Sequence, residues 1–563
     1  MRSSRWASSP PLAGLILLAG ALAAPTAHAT DAPAQRPATG RLLVLADRPS
    51  DDGAARAAVA AAGARRSGPA VPQIGLVTVR PRRGETVAQA ARRLSAAPGV
   101  AAAQPERRMR LRELPNDPAL ALPDPVAGTP ASPLPAETPL AWPLLQAGFP
   151  GAWDVTRGEQ ALVGVIDTGV DASHPDLAPK IAHLVDQQTT ISYGPAGTDD
   201  DGHGTHVASL ACAATGNGIG IAGAGHDCRL VIEKTDLTDG SIAAAIVDAT
   251  DRGVHAINMS FGDDGSRPAS VAIRRALQYA AERDVVLVAA AADEPVREQG
   301  DPSNVLQPTG SGPDIEAGIG LSVTAATYDG ERAPFAGYGS QISLAAYGTT
   351  GGPGSAPPGI VGAFPLAPTR FERAARPCNC RTSIAGDSRY GYLAGTSMAA
   401  PQVAATAALV RALNPDLSGR AVVRLLKRTA ERGPGRGWNR ELGWGVLDAE
   451  RALTTARETD ARPPDSRASA TALAGGRVEL RWSVEDTAPP QVRASGARAV
   501  ELVVVRLRDR RVVVRERVPP SGRARTFEGR AGERYGVLSR AFDRAGNREP
   551  RPRRFDDVVR ARK

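Results

Sequence analysis

The chain has 563 residues, of which 42% are hydrophobic and 4% aromatic, and its formal net charge is +9 at pH 7. This length and apolar fraction allow three or four globular domains, and they exclude a chain too polar to form a core. No segment is apolar over the length that a helix needs to span a bilayer.

The N-terminus has the pattern of a secretory signal. Arg2 and Arg5 precede a largely apolar run at 12–24, and the small-residue triplet at 27–29 follows it. The run is too short for a membrane span, so we expect a signal peptide at 1–29 that is cut after Ala29. The sequence therefore predicts a secreted protein, either extracellular or held in the periplasm or cell envelope.

The next two regions differ in composition. Residues 30–112 carry the order strand, helix, strand, helix, strand, which predicts a small α+β domain; the elements are expected at 41–46, 51–64, 74–80, 86–97 and from 100 onward. Residues 113–140 contain eight prolines and read as a Pro-rich linker.

Residues 141–456 alternate apolar runs with helices of small residues. This alternation predicts an α/β domain with a mostly parallel sheet and flanking helices. The central strands are expected at 161–166, 229–233, 254–259, 285–291 and 319–326.

Three polar motifs interrupt this pattern. Asp167 ends the run at 161–166, His203 lies in the string DGHGTHVAS at 201–209, and Ser397 lies in GTSMAAP at 395–401, before a small apolar helix that stops at Asn-Pro. Proteins with sheets of this kind have their active or binding sites at the carboxyl ends of the strands, and a helix N-terminus offers free N–H groups to an anion. The alternative for Ser397 or its neighbour Thr396 is a simple helix N-cap.

Short β-rich runs separated by turn residues fill 467–563 and predict a β-sandwich. Residues 463–563 carry 24 Lys and Arg against 13 Asp and Glu, a net charge of +11 that exceeds that of the whole chain. This face could dock on an anionic cell-envelope surface, although a solvated Arg-rich face is the favoured interpretation. No nucleic-acid-binding signature is present.

The three motifs, in the order Asp, His, Ser, resemble those of the subtilisin family of serine peptidases. The resemblance implies a secreted endopeptidase in which Ser397 is the nucleophile, His203 the base and Asp167 its orienting acid. It also implies that 30–112 is an inhibitory propeptide, with a permanent accessory domain as the alternative. The implied partners are protein or peptide substrates and the chain's own propeptide.

The resemblance assigns catalysis to His203 rather than to His206. The alternative, a metal pair at helical spacing, lacks the glutamate of His-Glu-x-x-His. Ser260 and Gly262 match the family's substrate-binding strand. The acidic pair after Gly262 could favour basic residues in a substrate, and a solvated loop is the alternative.

Calcium is the one cofactor that the resemblance implies, with Asp176 and Asn217 matching positions that supply oxygen ligands to a structural site. No catalytic cofactor is expected. The family's topology would also bring Cys212 near Cys228 for a disulfide. Cys378 and Cys380 could pair with each other or bind a metal.

One position departs from the family pattern. Asp293 stands after the run 285–291, where the family's oxyanion-binding Asn is expected. An ionised carboxylate only accepts hydrogen bonds and would repel a developing oxyanion. The rival to an active peptidase is therefore a catalytically weakened homologue that acts as a binding or inhibitory scaffold.

Overall fold

The fold is described from a computed structural model of the chain, and the description covers residues 40–47, 57, 59–60, 64–106, 114–188, 194–263, 265, 270–352, 354–432, 437–522 and 524–563. The chain divides into two compact units, Met1–Met109 and Arg110–Lys563. The predicted signal segment and most of the helix predicted at 51–64 lie outside the described residues. Among the described residues, no helix combines the length and hydropathy needed to cross a membrane.

The first unit contains a four-stranded antiparallel sheet in the spatial order β2, β3, β1, β4. Its strands are β1 Leu42–Ala46, β2 Arg65–Val71, β3 Leu76–Arg80 and β4 Val100–Pro105. Helix Val87–Ser95 buries Ala90 and Leu94 in the core of this unit, and Thr86 caps its first turn. The sequence did not predict β2, because Gly68 and Pro69 are unfavourable inside a strand.

The second unit is built on seven parallel strands in the spatial order β11, β10, β9, β8, β5, β7, β6. The prediction of a mostly parallel α/β sheet is confirmed, although β6 and β11 were not predicted. The strands are β5 Leu162–Asp167, β6 Ile181–Asp186, β7 Arg229–Lys234, β8 Ala256–Met259, β9 Val286–Ala290, β10 Leu321–Ala326 and β11 Leu344–Tyr347.

Helices and a small antiparallel sheet surround these strands. The sheet has the order β12 Ile360–Ala363, β14 Asp387–Leu393, β13 Arg381–Ile384. The helices are Trp142–Gln146, Phe149–Val155, His203–Cys212, Asp239–Asp251, Val271–Ala281, Ser303–Leu306, Arg370–Arg373, Thr396–Leu413, Gly419–Thr429 and Ala449–Glu458, with short 3-10 turns at Pro118–Leu120 and Ala178–Lys180.

Helix Thr396–Leu413 runs through the core. Fifteen of its 18 residues are buried, so it has no solvated face. Most of them are small, and a helix with small side chains can approach the neighbouring strands β8, β9 and β10 closely. This buried position fixes the helix N-terminus, which carries Ser397, near the carboxyl ends of the strands.

Residues 114–140 differ from the predicted linker. Leu120 and Leu134 are 2% and 1% exposed and belong to the same core as helix Thr396–Leu413. The buried Asp124 accepts hydrogen bonds from the Tyr392 hydroxyl, at 3.0 Å, and from the amide of Val126. The prolines prevent regular helix and strand, but they do not prevent packing, so composition alone gave the wrong interpretation.

The C-terminal region contains two antiparallel sheets that share one core, which includes Val478 and Leu480 from one sheet and Val500 and Leu502 from the other. The predicted β-sandwich is therefore present, and it begins at Asp465 rather than at 467. One sheet holds β15 Asp465–Ala472, β16 Arg477–Glu485 and β19 Arg525–Glu528; the other holds β17 Ala497–Arg506, β18 Arg511–Val518, β20 Arg534–Asp543 and β21 Asp557–Arg560.

Two disulfides are present. Cys212 at the end of helix His203–Cys212 pairs with Cys228 just before β7, with a Cα–Cα distance of 5.7 Å. Cys378 pairs with Cys380, which excludes the metal site considered for these two residues.

We expect the first disulfide to stabilise the fold. The two cysteines are 16 residues apart. Closing such a loop lowers the entropy of the unfolded chain and so raises its free energy by about 3 kcal/mol. In a Ser397→Ala background, Cys212→Ala/Cys228→Ala should lower the free energy of unfolding in urea by about that amount. The control is Cys378→Ala/Cys380→Ala, whose short ring constrains the unfolded chain little. Equal stability of the two double variants would contradict the expectation.

Candidate active site

Asp167 is the last residue of β5, and its side chain is almost fully buried. Its Oδ1 accepts the amide N–H of Thr168 at 2.8 Å and faces Nδ1 of His203, also at 2.8 Å. The carboxylate is thus held at the carboxyl edge of the sheet, against one nitrogen of the imidazole. This contact fixes the ring orientation and leaves Nε2 as the nitrogen available for proton transfer.

His203 begins helix His203–Cys212. The close approach of this helix to β5 requires a glycine at the next position. A Cβ at Gly204 would lie 2.2 Å from the carbonyl oxygen of Gly169 and 3.1 Å from Oδ1 of Asp167. Any side chain at Gly204 would therefore push the histidine away from its carboxylate.

Sequence reasoning missed Asp199, which holds the loop before His203. Its buried carboxylate accepts hydrogen bonds from the amides of Gly202 and Thr205 and from the hydroxyls of Thr168 and Thr205. The hydroxyl of Thr168 in turn accepts the Gly204 amide. Asp199 opens a run of three acids, and nothing in that run distinguishes the buried one from its exposed neighbour Asp200.

Three nearby acids, Asp167, Asp201 and Asp199, raise the proton affinity of His203. Burial lowers the pKa of the imidazole, but the facing charge of Asp167 and its hydrogen bond, followed by the charges of Asp201 and Asp199, outweigh burial and raise the pKa to about 9. The imidazolium is therefore the favoured form at neutral pH, and the neutral base becomes abundant only in alkaline solution.

His206 lies one turn further along the same helix and is fully buried. Its Nε2 lies 3.2 Å from the carbonyl oxygens of both Ile360 and Gly391, so this nitrogen is the donor. Burial, and then the charge of His203, lower its pKa to about 3. A neutral histidine that binds two carbonyls is a structural residue, which argues against the metal pair with His203.

Ser397 is the second residue of helix Thr396–Leu413, and its hydroxyl donates to the carbonyl oxygen of Ser260 at 3.0 Å. Within the described part of the chain it makes no hydrogen bond to His203. Pro401 has no N–H, so the carbonyl of Ser397 lacks its usual helical donor. The hydroxyl of Ser260 replaces that donor, at 2.8 Å. Ser260 therefore ties the end of β8 to the first turn of the helix.

Asp293 also contacts this first turn. Its Oδ1 accepts the amide N–H of Thr396 at 2.8 Å and lies 3.0 Å from the hydroxyl of the same residue. A Cβ at Gly395 would lie 3.0 Å from Oδ2. The residue reaches the surface, but protein atoms crowd its carboxyl group; this burial raises its pKa, against the hydrogen bonds from Thr396 and the charge of His203.

Gly262 is exposed beyond the end of β8, and a Cβ there would lie 3.2 Å from the carbonyl oxygen of Asp301. The acid after it, Asp263, uses Oδ1 to accept the amides of Gly265 and Asp301, at 3.1 and 2.7 Å. This carboxylate stabilises its own loop, which favours the solvated-loop interpretation over a pocket for basic residues. Asp264 lies outside the described residues.

Asp176 and Asn217, the residues predicted to bind calcium, contact each other. Nδ2 of Asn217 donates to Oδ1 of the fully buried Asp176 at 2.8 Å. The other oxygen, Oδ2, accepts from the Ile221 amide and the Tyr390 hydroxyl. A second buried carboxylate, that of Asp117, accepts the Gly216 amide in the same loop. Burial raises the pKa of both acids, and the charge of Asp176 adds to the effect on Asp117.

Comparison with known proteins places this arrangement in a family. Residues 158–445, just over half of the chain, match the sequence model described as "Subtilase family", and residues 23–106 match "Fervidolysin N-terminal prodomain". The chain therefore belongs to the subtilase family, as the motifs predicted. The second match supports a prodomain at residues 23–106, ahead of the peptidase-like region that begins near residue 158.

Two curated relatives have names that agree with this assignment. The chain is 33% identical over 265 residues to "Thermophilic serine proteinase" of Bacillus sp. (strain AK1), covering 46% of this chain and 54% of the relative. It is 32% identical over 345 residues to "Extracellular protease" of Xanthomonas campestris pv. campestris, covering 54% and 53%. The chain thus spans about half the length of these relatives. A solved protease structure from Pseudoalteromonas arctica is 27% identical, with a TM-score of 0.44, covering 55% of this chain and 95% of that one.

The charge environment of His203 can be tested directly. In Ser397→Ala protein, NMR titration of the imidazole should show a midpoint well above an ordinary histidine, near pH 9, because the nearby carboxylates favour the cation. Asp201→Asn should lower the midpoint. The matched control is Asp200→Asn, which removes the same charge at an exposed neighbouring position and should change the midpoint less. A midpoint near 6.5 in the parent would contradict the expectation.

Proposed function

We propose that this chain is a secreted serine endopeptidase that hydrolyses peptide bonds through an Asp167–His203–Ser397 triad and an acyl-enzyme. The observation that carries the proposal is the buried Asp167 carboxylate 2.8 Å from Nδ1 of His203, together with a serine in the first turn of a buried helix. Membership of the subtilase family supports the same reaction.

The reaction follows from this geometry. The hydroxyl of Ser397 leaves the carbonyl of Ser260 and attacks the scissile carbonyl carbon while Nε2 of His203 takes its proton. Asp167 stabilises the imidazolium through Nδ1. The tetrahedral intermediate then collapses, the amine leaves with the proton from Nε2, and water repeats the sequence to release the acid. Free N–H groups at the start of helix Thr396–Leu413 favour negative charge beside Ser397.

The substrate is an extended segment of a protein or peptide. Ser260 and Gly262 follow β8 at the carboxyl edge of the sheet, where backbone groups can pair with an extended chain. The absence of a side chain at Gly262 leaves room for such a segment. The prodomain at the N-terminus is proposed to inhibit the enzyme until the chain cleaves itself between the two regions.

Calcium is proposed as a structural ion bound by Asp117, Asp176 and Asn217. Two buried carboxylates lie at the loop 216–221, and carboxylate oxygens suit Ca²⁺. Asn217 faces Asp176 through Nδ2 while its Oδ1 accepts the Ile219 amide, so its side-chain amide would have to turn over to bind the ion through oxygen. The ion would neutralise buried negative charge there, and the proposed reaction does not use it.

Secretion is proposed from the N-terminal pattern, from the paired cysteines and from the relative named as an extracellular protease. The C-terminal sandwich carries the excess positive charge of the chain. A separate proposal is that the positively charged sandwich docks on an anionic envelope polymer, and binding that weakens as salt is added would support it.

The nucleophile can be identified by labelling. A fluorophosphonate probe should modify the mature protein at Ser397 and should not modify Ser397→Ala, because only an activated serine reacts. The Ser397→Ala precursor should also keep its N-terminal region in a protease-free host. Ser173→Ala, at an exposed serine, is the control and should label and mature normally. An unlabelled parent would favour the scaffold alternative.

Asp293→Asn tests the unusual residue at the oxyanion position. The amide would keep an oxygen for the Thr396 N–H and would place a donor where Oδ2 now lies. Loss of one oxyanion donor costs roughly 10²–10³ in kcat, so the variant should raise kcat at neutral and alkaline pH by up to about that factor. Below the raised pKa of Asp293 the protonated acid can donate, so the gain should shrink as the pH falls.

The measurement is kcat against pH for both forms on one peptide, with Glu294→Gln as the control that removes a neighbouring charge without placing a donor at position 293. An Asn variant that is equal to or slower than the parent at every pH would mean that another group stabilises the oxyanion.

A further inference from the structure

Three carboxylates meet where the peptidase-like region joins the C-terminal sandwich. Asp460 follows helix Ala449–Glu458, Asp486 follows β16, and Asp543 is the last residue of β20. One oxygen of each lies within 4.8 Å of the others. The three residues are far apart in sequence, so only the packing of the sandwich against the end of the peptidase-like region brings them together.

Backbone donors hold two of these acids from behind. Asp543 is 1% exposed and accepts the amides of Gly546 and Asn547, each at 2.7 Å, on Oδ1. Asp460 is 6% exposed and accepts the amide of Ser495 at 2.7 Å on Oδ2. Such contacts orient a carboxylate, and each oxygen has a second lone pair that can face the cluster.

The third carboxylate has no such support. Each oxygen of Asp486 exposes less than 1 Å² to solvent, and neither accepts a hydrogen bond of normal geometry from the described residues. The amide of Gly496 lies near this carboxylate but outside normal hydrogen-bond geometry. An ionised carboxylate whose oxygens are buried without a partner is costly, and a bound cation removes that cost.

No described lysine or arginine supplies that charge through an ion pair. Arg498, Arg517 and Arg548 line a surface cavity beside Asp543, but none of them forms a salt bridge with any of the three acids. Arg462 approaches Asp460 only through its backbone amide, at 3.2 Å, while its side chain pairs with Asp416. Three clustered carboxylates in this part of the chain therefore lack a cationic partner.

The three carboxylates together fit calcium. Calcium takes oxygen ligands at about 2.3–2.6 Å, so two ligands of one ion are at most roughly 5 Å apart, and the three oxygens here meet that limit at 4.8 Å or less. Magnesium usually keeps several waters and takes only one or two protein carboxylates, so a set of three carboxylates favours calcium. Zinc prefers nitrogen and sulfur, which this cluster lacks.

We propose that Asp460, Asp486 and Asp543 bind one Ca²⁺ ion that fastens the sandwich to the end of the peptidase-like region. Direct hydrogen bonds already cross this junction. Nδ2 of Asn547 donates to the carbonyl oxygen of Asp460 at 3.0 Å and to Oδ2 of Asp543 at 2.7 Å, and the Arg493 amide donates to the carbonyl oxygen of Arg457. The ion adds the positive charge that the junction otherwise lacks.

The test is a calcium chloride titration of the full chain, with Ser397→Ala to prevent self-digestion, after removal of metal with a chelator. Asp486→Asn should bind one ion fewer than the parent, or bind it at least 10-fold more weakly. Asp465→Asn, an exposed acid of the same domain, should bind as the parent does. Asp176→Asn reports separately on the site proposed in the peptidase-like region.

Thermal unfolding gives a second test, because the change in melting temperature should reverse its sign between chelator and calcium. A residue with only a structural role would change the melting temperature in the same direction in both. In chelator, Asp486→Asn should melt at or above the parent, because it removes repulsion between carboxylates. In excess calcium it should melt below the parent, because it loses the ion. If Asp486→Asn does not fold, Asp460→Asn replaces it under the same criteria. Calcium binding that is unchanged in both number and affinity, or a calcium-dependent gain in melting temperature equal to that of the parent, would overturn the proposal.

Discussion

A buried helix must satisfy every backbone polar group at its ends, and this requirement organises the site. Helix Thr396–Leu413 lies in the core, so protein groups take the place of water at Thr396 and at the carbonyl of Ser397, although the Ser397 side of the first turn is only half-buried. Asp293 accepts the amide of Thr396, and Ser260 donates to the carbonyl that Pro401 leaves without a donor. The residues around Ser397 are therefore the groups that close the end of the helix.

This requirement explains why an acid at position 293 can benefit the fold, whatever its effect on the reaction. A carboxylate is a strong acceptor for a helix N-terminus, and its charge interacts favourably with the dipole. The same charge opposes negative charge on a reacting carbonyl oxygen. Under the proposed mechanism this position would couple helix capping to catalysis, and the acids around His203 would affect the same reaction by stabilising the imidazolium.

The features that the sequence predicted are those set by short contiguous segments of the chain. The motifs around Asp167, His203 and Ser397 and the five apolar strands are of this kind. The sequence did not predict strand β6, whose residues are half exposed, or the packing of 114–140, where proline content suggested a linker. It also gave no sign that Asp199 is the buried acid, because burial in a run of similar residues is decided by tertiary contacts.

The junction at Asp460 bears on how the two regions could be separated or recombined. Composition places the boundary at the prolines 463–464, yet the amide of Ser495 and the side chain of Asn547 both bind Asp460, on the peptidase side of those prolines. A chimaera cut at the prolines would leave the sandwich without its anchoring residue. A transferable module therefore begins before residue 460, so the unit of exchange is longer than the folded sandwich itself.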